Sequence, residues 1–137
     1  MQHYKEFLMS RSILLQLARD SIAEVLQAQR TIDKELLLQE HPLLNQKIAT
    51  HVNLYIDNEL RGSAASDTAE RTLLEDIICN AKRSAFENTD FTPLSTSEYL
   101  HCEVEVTLIT ADGVMKEKDK AILQNDNTKL ESIVRKH

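Results

Sequence analysis

A run of small residues, Leu60-Arg61-Gly62-Ser63-Ala64-Ala65-Ser66, joins two stretches of different hydrophobic period. Before it, Ile48 to Ile56 alternates: Val52, Leu54 and Ile56 share one face, and His51, Asn53 and Tyr55 the other. A period of two belongs to a strand with one buried side. After it, a helix is predicted over 68–87. Ala69, Leu73, Leu74, Ile77, Ile78, Ala81 and Ala85 form its apolar arc, and Glu75, Asp76, Lys82 and Arg83 lie outside. Each fully buried Leu or Ile contributes roughly 1.5–3 kcal/mol before entropy is subtracted. Asp57-Asn58 tolerates positive φ, so the strand is expected to turn there and return through Leu60 to Ala65. A small-residue passage from strand to helix lets backbone approach something closely. Gly62 is therefore expected to take positive φ or to pack its Cα on another backbone.

The rest of the chain fits around that unit. Residues 10–29 read as a helix capped by Ser10 or Ser12, with Ile13, Leu14, Leu17, Ala18, Ile22, Val25 and Leu26 on a wide apolar arc. Leu36-Leu37-Leu38 suits either a short strand or one buried turn, and Pro42 biases His41 toward extended geometry. Asp67 with Glu70 resembles a capping box for the second helix, worth about 1 kcal/mol. Asn88-Thr89-Asp90 and Pro93 end that helix, and Ser95 or Thr96 starts a short turn with Glu98. Residues 101–110 alternate again. Cys102, Val104, Val106 and Leu108 face one way, and His101, Glu103, Glu105 and Thr107 the other. Asp112-Gly113 is a turn signal. In the tail, Thr128 is a weak cap before Leu130, Ile133 and Val134. The expected fold is α+β: one domain over 1–137, with an antiparallel sheet of 48–56, 59–65 and 101–110 packed against helices 10–29 and 68–87.

Composition narrows the function classes. A chain of 137 residues fits one domain with a real core. There is no Trp, so that core is mostly Leu, Ile, Val and Ala. A formal charge of -6 argues against a nucleic-acid partner, and Lys116, Lys118 and Lys120 alternate with Glu117 and Asp119. No apolar run approaches a membrane span, and the first residues lack the order of a signal peptide. Cys79 and Cys102 make no disulfide framework, so a reducing, cytoplasmic location is expected.

The order helix, strand, Leu-Arg-Gly, helix, Phe-x-Pro-Leu, strand resembles the AMME chromosomal region (AMMECR-type) domain family. The matching residues include Pro42-Leu43, Val52, Leu54, Leu60-Arg61-Gly62, Leu74, Asp76, Asn80-Ala81, Ala85-Phe86, Phe91, Pro93-Leu94, Glu98 and Val104-Glu105-Val106. The likeness covers about 10–110. The family's hallmark looks like Leu-Arg-Gly-Cys-Ile-Gly, and here Ser63, Ala64 and Ala65 replace its last three residues. Its Asp-Pro-Arg-Phe becomes Asn88-Thr89-Asp90-Phe91. No counterpart of the family's later Leu-Pro-containing segment is found after Thr110, so a shortened, diverged member is expected. The resemblance implies an α+β fold and a pathway shared with Memo-like and radical-SAM proteins. It carries over no cofactor and no catalytic residue.

Several residues carry candidate chemistry. The Arg61 guanidinium beside Gly62 suits a carboxylate or phosphate, with the next helix N-terminus as a second donor. The competing reading is an ion pair that ties the hairpin to a helix. Arg61, Gly62, Ser63 and Ser66 are thus the candidate ligand-binding residues. A nucleophilic Ser63 or Ser66 needs an adjacent base, for which His51 and His101 are available, but the Gly-x-Ser-x-Gly elbow is missing. His51, His101, Glu103 and Glu105 have ligand chemistry for a divalent metal, yet alternating polar residues are what any half-exposed strand shows, and no metal is expected. Cys102 reads as a buried small hydrophobe, and Cys79 as a thiol on the polar arc with no base beside it. The leading expectation is a non-catalytic binding or assembly module that forms a homodimer, with a protein partner or small anionic ligand. The alternative is an accessory or enzyme component with a small-anion pocket around Arg61–Ser66.

Overall fold

The first helix begins where a serine holds its open end. In the computed structural model, which describes residues 12–122, the Ser12 hydroxyl accepts the Leu15 N–H at 3.2 Å and helix α1 spans Ile13–Gln27. Ala28 ends it in the left-handed region at φ 54°. Leu17, Ala18 and Ile22 are buried on the predicted arc. Val25 is not: it is 45% exposed, on the last turn of the helix. Asp33 accepts the Leu36 N–H and starts α2 (Lys34–Glu40), so Leu36-Leu37-Leu38 is neither a strand nor a buried turn but part of a short helix with no buried residue. A 3-10 turn, Pro42–Asn45, seats Leu44 in the core.

Strands β1 (Ala49–Ile56) and β2 (Glu59–Ala65) form the expected hairpin. Asp57 and Asn58 take φ of 52° and 67°, the two positive values that a tight two-residue turn needs. Helix α3 spans Leu73–Phe86, short α4 spans Thr96–His101, and β3 (Glu103–Thr110) precedes β4 (Gly113–Lys118). The sheet order is β2-β1-β3-β4, antiparallel throughout. Helices α1 and α3 cover the face carrying Val52, Leu54, Val104, Val106 and Leu108, and those side chains form one core with Leu73, Leu74, Ile77 and Ala81. The fold is α+β.

Three expectations are corrected. The second helix starts at Leu73, not near 68, and its cap is Thr72, whose hydroxyl accepts the Glu75 N–H at 3.3 Å. Asp67 and Glu70 make no capping box, because Thr72 bridges to Lys47 and the Leu73 N–H donates to the Gln46 carbonyl. That anchor leaves Ala69 exposed in a loop. Asp76 is buried rather than on the polar side. Residues 113–118 carry no period-two apolar pattern, yet β4 pairs with β3 from Thr110↔Gly113 to Glu105↔Lys118. The tail beginning at Thr128 and the possible cap Ser10 lie outside the described residues.

Candidate functional site

Arg61 sits at an irregularity in the hairpin. Leu54 pairs with Gly62 and Tyr55 with Leu60, which leaves Arg61 as the unopposed residue of a bulge. A bulge re-aims the side chain it carries. Here Arg61 points at Glu98 on α4: Nε donates to Oε2 at 2.8 Å and Nη2 to Oε1 at 3.0 Å. Nη2 also donates to the Thr92 carbonyl at 2.8 Å, and the Phe91 ring lies 5.6 Å from the guanidinium carbon. Its Nη1 is buried without a hydrogen-bond partner. These Arg61 hydrogen bonds, with the Ser95 N–H, hold the Glu98 carboxyl down at about 2, from an ordinary 4.5. Glu98 also completes a capping box with Ser95.

Gly62 is buried and does not need positive φ. A Cβ at this position would overlap the Ser84 carbonyl oxygen on α3. The packing branch of the expectation holds. Asn88 reinforces it: its Oδ1 accepts the Ser63 N–H at 3.3 Å, and its Nδ2 donates to the Ser84 and Arg83 carbonyls.

Ser63 and Ser66 fall in different places. Ser63 lies on the sheet face away from the helices, with its Oγ 2.8 Å from His51 Nε2. Ser66 lies just past β2, beside a buried network. Asp76 accepts from the Thr50 N–H at 2.8 Å, Thr50 Oγ1 at 2.7 Å, Ser66 Oγ at 2.7 Å and Arg71 Nε at 3.0 Å. Asn80 is fully buried and donates to Thr50 Oγ1 and Ser66 Oγ. The family-like Asp76 and Asn80 thus tie α3 to β1 and to the end of β2. This network opens into a cleft of about 300 Å³ lined by Ser66, Thr68, Glu70, Arg71, Asp76 and Arg83. Arg61, Gly62 and Ser63 do not line it.

Sequence reasoning missed the most buried cation. Arg19 on α1 is 0% exposed. Its Nη2 donates to the Cys102 carbonyl at 2.7 Å and the Lys120 carbonyl at 2.9 Å, and its Nε meets Asp119 at 2.5 Å. Tyr99 donates to the Arg19 carbonyl, and its ring lies 5.5 Å from the guanidinium carbon. The one available signal was a charge one place beyond Ala18, at the border of the predicted apolar arc next to Leu26.

The other candidates separate. His101 ends α4, not β3, and its Nδ1 is 2.9 Å from the Ser97 carbonyl. Glu105 and Thr107 are buried rather than half-exposed, and Glu105 accepts from Asn53 and Tyr55. Among the described residues no group of three or more His, Cys, Asp or Glu side chains is placed to hold a metal ion. Burial pushes the Cys102 thiol up, in keeping with a core residue, and Cys79 is half-buried. Among the described residues no helix is long and apolar enough to cross a membrane.

The AMMECR1 family model matches residues 15–131, which is most of the chain and runs past Thr110. The chain belongs to the AMMECR1 family. It is similar to Protein SSO0193 of Saccharolobus solfataricus, at 31% identity over 113 residues, covering 79% of this chain and 48% of that one. Protein LS215_2104 of Saccharolobus islandicus is 30% identical over 112 residues, covering 78% and 48%. This AMMECR1-family chain therefore spans about half the length of those relatives. A solved structure, the uncharacterized protein PH0010 of Pyrococcus horikoshii, is similar with a TM-score of 0.64 and 30% identity, covering 71% of this chain and 49% of that one.

Proposed function

We propose that this AMMECR1-family chain is a cytoplasmic binding or assembly module that pairs with a second copy through the β4 edge of its sheet. The carrying observation is that edge. Val114 is 66% exposed and Met115 63%, with Ile109 and Leu43 exposed beside them. They line a groove of about 580 Å³ between the 3-10 turn and the β3–β4 hairpin. Open strand edges invite pairing, and a two-fold pairing buries the same patch on both copies. Residues directly opposite one another share a sheet face, so a two-fold axis must pass through a residue of β4. At Met115 it joins the two methionines and sets Val114 opposite Lys116. At Lys116 it would oppose two like charges. The axis therefore falls at Met115 or at Val114, where it would join two valines and set Met115 opposite Gly113. The Arg61–Glu98 clasp supports a module over a ligand-binding guanidinium, because Nε and Nη2 are already engaged and Nη1 is buried.

A second reading rests on the cleft beside Ser66. There Arg71 and Arg83 present guanidiniums at the rim and suit a small carboxylate or phosphate, as in an accessory or enzyme component of a pathway with Memo-like and radical-SAM proteins. Light scattering at micromolar concentration tests the first reading. Twice the 15.7 kDa chain mass is expected, falling to one chain mass in Met115→Lys. A monomer at every concentration rejects the pairing.

A further inference from the structure

The sheet face away from the helices brings together a nucleophile, a base and an amide that the docking edge does not use. Ser63 Oγ lies 2.8 Å from His51 Nε2, the separation at which an imidazole takes a hydroxyl proton. Their placement follows from register. Asn53 is directly opposite Ser63 and His51 directly opposite Ala65, so His51 reaches Ser63 along the diagonal between neighbouring strands. Both side chains are half-buried, reachable by a small molecule.

We propose that Ser63 is a nucleophile toward small activated esters, with His51 as its general base and Asn53 as the donor to the oxyanion. The backbone at Ser63 is held on two sides, by Asn88 on its N–H and by Gly62 against the Ser84 carbonyl, so the hydroxyl starts from a fixed position. Asn53 Nδ2 gives one hydrogen to Glu105 Oε1 at 3.1 Å, and a side-chain amide has a second to give. In the tautomer with the proton on Nδ1, His51 Nε2 accepts the Ser63 proton. The Ser63 Oγ–acyl carbon bond forms, the bond to the alcohol breaks, and His51 returns the proton to the departing alkoxide. Water, activated by the same nitrogen, then releases the acid and restores Ser63. Ser63 and His51 are only partly exposed, and Thr107 and Glu105 beside them are buried, so small esters with good leaving groups are the substrate class.

The probe is a fluorophosphonate, which Ser63 attacks at phosphorus with loss of fluoride while His51 takes the hydroxyl proton. Intact-mass measurement of the purified chain is expected to show one adduct, mapped to the Ser63 peptide and absent in Ser63→Ala. In His51→Gln, which keeps a polar partner for Ser63, labelling is expected to slow at least tenfold with an unchanged circular-dichroism spectrum. Asn53→Ala is expected to slow it by about 10²-fold, the scale of one lost oxyanion donor. Hydrolysis of p-nitrophenyl acetate is expected to exceed that of free imidazole at equal concentration and to fall to that level in Ser63→Ala. No adduct at Ser63, or equal labelling of the wild type and a folded His51→Gln, overturns the proposal. A monomeric chain that still labels at Ser63 would remove the docking reading and leave this one standing.

Discussion

The two edges of the sheet are finished in opposite ways. At the β2 edge, Gly62 rests on the Ser84 carbonyl, Asn88 takes the Ser63 N–H, and the Arg61 bulge is clasped by Glu98, Thr92 and Phe91. At the β4 edge, Gly113 to Lys116 is exposed; the Thr110 hydroxyl donates to the Gly113 carbonyl, and the other described ties lie at the strand's far end. Ser12 donates to Glu117, Lys118 pairs with Glu103 and stacks on Tyr55, and Arg19 seizes the chain just after the strand. An edge can be protected by covering it or by charging it. β2 uses cover over its middle, Arg61 to Ala64, and leaves Glu59, Leu60 and Ala65 exposed. β4 uses charge in its second half only, and its first half offers Val114 and Met115.

The largest effect that could break this comparison is expected at Arg19. Arg19→Ala should destabilise by about 4 kcal/mol, because it removes the guanidinium that the Cys102 and Lys120 carbonyls and Asp119 share. Hydrogen exchange should then quicken in β4 well before β2. Equal loss at both edges would mean that Arg19 supports the whole core rather than the β4 exit.

Gly62→Val comes next, at about 3 kcal/mol, since the new side chain meets α3 backbone. Urea melting measures it, and a neutral substitution would show that β2 is not pressed on α3.

Acid gives a smaller effect. The Glu98 carboxyl is depressed to about 2 from 4.5, so its contribution is complete above about pH 4.5 and disappears as pH falls to about 2. Its side chain is 36% exposed, so screening leaves about 1 kcal/mol. Glu98→Gln should flatten that limb of the stability–pH curve. An unchanged curve would remove the clasp from the account of β2. The smallest change is expected for Met115→Lys, within about 0.5 kcal/mol for the folded chain, since that side chain already stands in water.

Much of this was legible because period and turn chemistry are local. Val52 and Leu54, or Val104 and Val106, declare a buried face by alternation alone, and Asp57-Asn58 declares a turn by its tolerance of positive φ. The start of α3 was not legible, since Asp67 is as good a cap as Thr72. The choice was made by Lys47 and Gln46, twenty-odd residues upstream. Asp76 and Arg19 were misread or unread for a related reason. A buried charge is tolerable only where its partners are assembled, and those partners come from β1, α4 and the segment after β4. For the candidate site, the sequence offered His51 and His101 as bases for Ser63 or Ser66 without showing contact, and strand register made His51 and Ser63 the neighbours.

Arg19 has a consequence for how the molecule comes apart. Two of its partners, the carbonyls of Cys102 and Lys120, are main-chain groups that never titrate. The Glu98 clasp, by contrast, is released by a single proton. Acid therefore takes away the Glu98 carboxylate that clasps the β2 bulge, whereas at the β4 exit it can reach Asp119 but not the two carbonyls. The seam between the first helix and the β4 exit thus keeps a main-chain half that protons leave untouched.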